Sequence, residues 1–239
     1  MSVSQPRAMA RRAFLALVLL ISFSCMTYEL MLAQTMAVLL GHTLLRYTLT
    51  IGLYLASLGC GALLVKRSTC LRMARQLFGA EVALVVFGGL SPVVAVVGDA
   101  ILRSAHLGAG TSYLLYSLAT IVGVISGCEL PLVIHIAEDL FQMKAGHVLA
   151  VDYVGTLAGV IAFPFFLLPG LGLFGTAAAA AFLSAVCGAA IPGIIGNQEK
   201  KWSWGFCAAG LAIFALVFMV ENEALARWLV ATHYLRSFP

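Results

Sequence analysis

The sequence predicts an all-α integral membrane protein with seven transmembrane helices, its N-terminus cytoplasmic and its C-terminus outside. Two observations set the class. The 239 residues are 62% hydrophobic and 10% charged, where a soluble domain carries about 25% charged residues. Apolar stretches long enough to cross roughly 30 Å of hydrocarbon recur near 13–40, 47–65, 76–98, 111–135, 148–169, 171–195 and 203–220. A third observation sets the orientation. With the N-terminus inside, ten of the 14 Lys and Arg residues fall in cytoplasmic segments, the bias expected of inner loops. Only Arg46, Arg103, Arg227 and Arg236 fall outside. The net charge of +4 therefore sits at span ends and implies no nucleic-acid partner.

The chain divides into a cytoplasmic tail (1–12), a seven-span membrane domain (13–220) and an amphipathic tail (221–239). The first apolar run follows Arg11 and Arg12 and continues past Ser22-Phe23-Ser24-Cys25 to Leu40. That is about twice the length of a signal-peptide core, so an uncleaved first span is expected. The loop 136–147 reads as a short helix along the cytoplasmic interface. In the last tail, Leu225, Trp228, Leu229 and Thr232 recur at helical spacing, suited to an interfacial helix.

Small residues mark helix seams. Gly52, Gly59 and Gly61 lie on the second span, Gly123 and Gly127 on the fourth, and Gly155 and Gly159 on the fifth; the last two pairs are G-x-x-x-G motifs, which let membrane helices approach closely. The run Gly170-Leu171-Gly172-Leu173-Phe174-Gly175 matches G-x-G-x-x-G literally. It follows Pro169 between two spans rather than opening a helix in a βαβ unit, so a tight turn is expected. Six cysteines without a C-x-x-C pair argue against a disulfide framework or zinc site. No H-E-x-x-H or G-x-S-x-G occurs, and no metal or cofactor is expected.

The candidate functional residues are carboxylates within apolar stretches. Each costs about 2.5–3.5 kcal/mol at the centre of a membrane helix, so such groups pair, face a cavity or work. Glu129 stands two residues before Pro131, which interrupts the helical ladder and frees a carbonyl. Asp152, beside Tyr153, lies near the start of the fifth span. With the fourth and fifth spans antiparallel, Glu129 and Asp152 fall at similar depth, and Glu81 on the third span is comparably placed; a cytoplasm-facing acidic pocket results. On the duller alternative Asp152 caps a helix and Glu81 sits among headgroups. Glu29, after Tyr28, lies deeper, and Arg46 is a candidate structural partner for it. His135 and His147 flank the loop after the fourth span as candidate proton-handling groups.

The segments Tyr28 to Leu64 and Gly127 to Leu173 carry a recognisable set of motifs: an acid after tyrosine in the first span, "GCELP" in the fourth and "DYVGTLAGVIAFP" in the fifth. In these, over roughly residues 15–175, the chain resembles the multi-spanning N-terminal region of bacterial membrane-bound spermidine synthase-like proteins, the polyamine aminopropyltransferase family. The resemblance implies a multi-pass protein of the bacterial cytoplasmic membrane. In relatives a soluble domain of methyltransferase-like fold follows the spans; here no glycine-rich G-G-G-D-G loop occurs and the chain ends soon after the seventh span. It is therefore expected to transfer no aminopropyl group by itself. The reading that results is a membrane subunit or docking partner of a separate aminopropyltransferase-like soluble protein. It would bind or pass a polyamine or a proton through Glu29, Glu129 and Asp152, with Tyr28, Tyr153 and Pro131 around them. The rivals are an intramembrane enzyme with Glu129 and His135 as acid–base groups, and a scaffold.

Overall fold

Helix dominates because apolar residues run without interruption and Gly and Pro fall near their ends or at defined breaks. The computed structural model describes residues 4–41, 44–107, 110–195, 209–210 and 213. Among these there is no strand. Helix α1 spans Ser4–Leu40, so the segment expected as a tail continues the first helix from Ser4. Helix α2 spans Leu44–Leu64. Helix α3 (Cys70–Ala83) runs through a π-helical turn, Leu84–Gly88, into α4 (Gly89–Ser104). Helix α5 spans Gly110–Phe141; α6 (Ala145–Ala162) passes through a second π-helical turn, Phe163–Leu167, into α7 (Leu168–Ile195).

Five helical stretches among the described residues are long and apolar enough to cross a membrane, rather than the seven expected. The predicted fifth and sixth spans run together as Ala145–Ile195. At 1.5 Å per residue a straight helix of that length would be more than twice as long as the hydrocarbon is thick. Gly172 breaks it, with φ 68° and ψ −174°, a conformation open to a residue without Cβ. The glycine run is thus a turn between helices, as its position after Pro169 suggested. The predicted seventh span and the tail 221–239 lie outside the described residues, save for Ala209, Gly210 and Ile213. A separate helix over 136–147 is not observed. Helix α5 continues to Phe141, the chain turns at Gln142 (φ 51°), and α6 begins at Ala145.

The break between α3 and α4 is chemically compensated. Pro92 has no N–H to give the Gly88 carbonyl four residues back, and Ser91 Oγ donates to that carbonyl instead at 2.6 Å. The N–H of Gly89 reaches Leu84, one residue further than in an α-helix.

Helix α1 is central, packing against α2, α4, α5, α6 and α7. Two apolar cores surround it. One holds Phe14, Leu77, Ile136 and Ile191; the other holds Met31, Leu84, Leu115 and Ala177. Around them the outer surface is also apolar, with Leu44 and Leu63 each 86% exposed and Phe165 71% exposed. Water penalises such a surface and lipid does not.

Polar ties close the two ends. At one, Arg67 pairs with Asp139 at 2.6 Å and Glu138 at 3.5 Å. Hydrogen bonding by Asp139 holds the guanidinium pKa above its ordinary value. The loop after α2 and the last turn of α5 therefore share one face. At the other end Asp99, buried on α4, accepts from Arg103 Nε at 2.8 Å and from Thr111 Oγ1 at 2.8 Å, while Arg103 Nη2 donates to the Leu39 carbonyl at 3.2 Å. This knot joins α4 to α5 and α1. Asp99→Ala is expected to lower unfolding stability by about 1–3 kcal/mol, because Thr111 and Arg103 lose their common acceptor; denaturant unfolding in detergent measures it.

Candidate functional site: a buried acidic layer

Between the two apolar cores lies a layer of polar side chains. It is built from four helices: Ser24 and Tyr28 on α1, Glu81 in the last turn of α3, Glu129 on α5 and Ser184 on α7. Glu81 and Glu129 each lie about a dozen residues from the end of their helix on the Arg67 face, as does Ser184. At 1.5 Å per residue that is roughly 17 Å along the axis. Equal heights on packed antiparallel and parallel helices bring these groups to one level.

Glu81 is fully buried and neither of its carboxyl oxygens has a hydrogen-bond partner. Glu129 is 3% exposed, with Oε1 also unpartnered. The two acids are within Coulombic reach of each other. The Tyr28 hydroxyl, fully buried and without a partner, is within reach of both. Ser184 Oγ donates to Ser24 Oγ at 3.5 Å, a long contact, and stands beside Tyr28 and Glu81. The π-helical turn positions the tyrosine. Its ring lies against Gly88, where a Cβ would fall 2.6 Å from Tyr28 Cε1. Irregular turns of this kind recur at functional sites.

Glu129, Tyr28 and Asp152 of the predicted set come together, though unequally. Asp152 is half-buried on α6, nearer the Arg67 face; its Oδ1 accepts from Ser22 Oγ at 2.5 Å, and it lies within Coulombic reach of Glu129. Glu29 is half-buried and turned elsewhere, toward Cys25 and Tyr54. There Tyr54 donates to Ser126 Oγ at 3.3 Å. Arg46 stands on the first turn of α2. Tyr153 is 67% exposed and points out of the bundle. Pro131 is half-buried within α5. His135, six residues beyond Glu129, does not share its face of the helix.

Glu81 belongs to the layer, not to a headgroup region. Its distance from the inner surface, comparable with those of Glu129 and Asp152, was the signal for this. Ser24 and Ser184 gave no signal, because a serine in a membrane helix usually bonds its own backbone, and Ser24 does so to Ile21 as well. The described residues bring together no three His, Cys, Asp or Glu side chains able to hold a metal ion.

The fold and layer define a multi-helical apolar protein with an acidic interior. Its relatives give that class a biochemical setting. The chain is 32% identical over 231 residues to Polyamine aminopropyltransferase 2 of Ralstonia nicotianae, covering 90% of this chain and 43% of that protein. It is 30% identical over 229 residues to Polyamine aminopropyltransferase of Mycobacterium tuberculosis, covering 92% of this chain and 39% of the relative. With Polyamine aminopropyltransferase of Corynebacterium efficiens the identity is 36% over 170 residues, 67% of this chain and 31% of that one. These matches support kinship with the polyamine aminopropyltransferases, and the chain spans about two fifths of the length of the first two relatives. No protein-family model matches it, and no solved structure does.

Proposed function

We propose that this chain forms the membrane-embedded part of a polyamine aminopropyltransferase-like system in the bacterial cytoplasmic membrane. In this reading it docks a separate soluble catalytic protein and binds or passes a cation, a polyamine or a proton, through its buried acids. The observation that carries the reading is Glu81 beside Glu129, two carboxyl groups between apolar cores with three oxygens unpartnered. The names of the relatives supply the polyamine. Asp152 extends the acidic path toward the Arg67 face, taken as cytoplasmic from the charge bias. Glu29 forms a second, shallower acidic point, with Arg46 as its proposed structural partner.

Thermal unfolding of the detergent-purified protein tests this against spermidine, putrescine and a neutral amide of similar size. A ligand of the folded state alone stabilises it by RT ln(1 + [L]/Kd), about 2.7 kcal/mol at a hundredfold excess over Kd. Both amines should raise the unfolding temperature and the amide should not. Glu129→Gln should abolish the amine effect and Asp152→Asn should weaken it. No amine effect in the wild type refutes the polyamine part.

A further inference from the structure

Among the described residues, the ionisable groups that face the layer between the cores are acids. The ionisable side chains of the described residues within Coulombic reach of Glu81 or Glu129 are Tyr28 and Cys25 on α1, Cys128 on α5, Asp152 on α6 and Cys187 on α7. All of these are acids. Two ionised carboxylates in such an interior would each carry a desolvation penalty of several kcal/mol, comparable with the whole stability of a typical fold. Tyr28 packs its ring against Gly88 beside the acids, and a proton is the smallest cation that could neutralise one of them. The Tyr28 hydroxyl is an independent sign that the layer is built for exchange. It is fully buried, without a hydrogen bond of ordinary length, and within Coulombic reach of both acids with Ser184 beside it, where a purely structural phenol would be hydrogen-bonded.

We propose that Glu81, Glu129 and the Tyr28 hydroxyl form a proton-binding site at the centre of the bundle, exchanging with the Arg67 face through Asp152. The proton arrives from water, forms an O–H bond on one carboxyl group and leaves by the same route; no other bond changes. Asp152 suits the relay because it is half-buried, lies between the layer and that face, and is held by Ser22. The proposal deepens the functional reading by naming the proton as the resident cation. Its test uses no amine, so either can fail alone.

Infrared spectra of the purified protein in detergent should show a protonated-carboxyl stretching band at neutral pH. The double variant Glu81→Gln/Glu129→Gln should lose that band, while Glu138→Gln, altering a half-buried acid paired with Arg67 far from the layer, should leave it. An amide matches a protonated carboxyl in size and neutrality, so the double variant is expected to fold. Thermal stability of the wild type should fall between about pH 5 and about pH 9, a range that buried carboxyl groups reach. The sign follows from linkage: the folded chain holds a proton that the unfolded chain releases, so raising pH favours unfolding. The double variant should lose that slope. A wild type without the band, or a band and slope unchanged in the double variant, overturns the proposal.

Discussion

Gly127→Leu is expected to abolish accumulation of folded protein, the largest effect of any single substitution considered. A Cβ at Gly127 would fall 2.7 Å from Leu58 Cα and nearer still to the Leu58 carbonyl oxygen. The obstacle is backbone, which cannot swing aside as a side chain would. Gly123 opposite Ser57, and Gly61 opposite the Val124 carbonyl, continue the same seam. Forcing extra methylenes into a packed interior typically costs about 1–3 kcal/mol, and a clash against main chain belongs at or above the top of that range. Helix α2 has few other holds, since many of its large side chains face outward. Displacing it would also move Tyr54 from Ser126. Size-exclusion profiles of the detergent extract read the result directly: a monodisperse peak of normal yield for Gly127→Leu would contradict it. Gly52→Ala and Gly59→Ala supply the contrast, because nothing lies within 4 Å of a Cβ at either position. Both should be tolerated, or stabilise by about 0.5–1 kcal/mol through helix propensity.

Glu81→Leu is expected to stabilise the fold and remove its function. The carboxyl group of Glu81 is buried without a partner, and leaving such a group unsatisfied costs about 1–3 kcal/mol. Leucine has a similar volume and no polar atom to desolvate, so that cost is relieved with little repacking. The pH dependence of stability and the amine-induced shift should both decline in the same variant. Gains of stability at the expense of activity are the usual outcome where a polar group is kept in a core for its chemistry. A Glu81→Leu protein less stable than wild type would mean that the acid holds the helices together, the scaffold reading.

The sequence alone settled the helical class, the apolar outer surface and the break at Gly172. All three follow from local composition, which a single chain displays without its neighbours. It also singled out Glu129 and Asp152, because a carboxyl group inside an apolar run is costly wherever it ends up. What it could not rank was which face each residue presents. Glu29 follows Tyr28 directly, yet a step of one residue turns the side chain by about 100° around the helix, toward Cys25 and Tyr54. The same ambiguity separated Gly61, pressed against α5, from Gly52 and Gly59, which face open space.

Tertiary structure decided which acids meet. Glu81 and Glu129 are brought to one level only because α3 and α5 start from opposite ends and pack with α1 and α7 around a common axis. Spacing along a chain carries depth within a membrane, and the rotation and partnering of the helices come from the close approach of glycine-lined backbones. Sequence therefore determined that this protein keeps carboxyl groups in its apolar interior, and the packing of helices determined that two of them come within reach of each other.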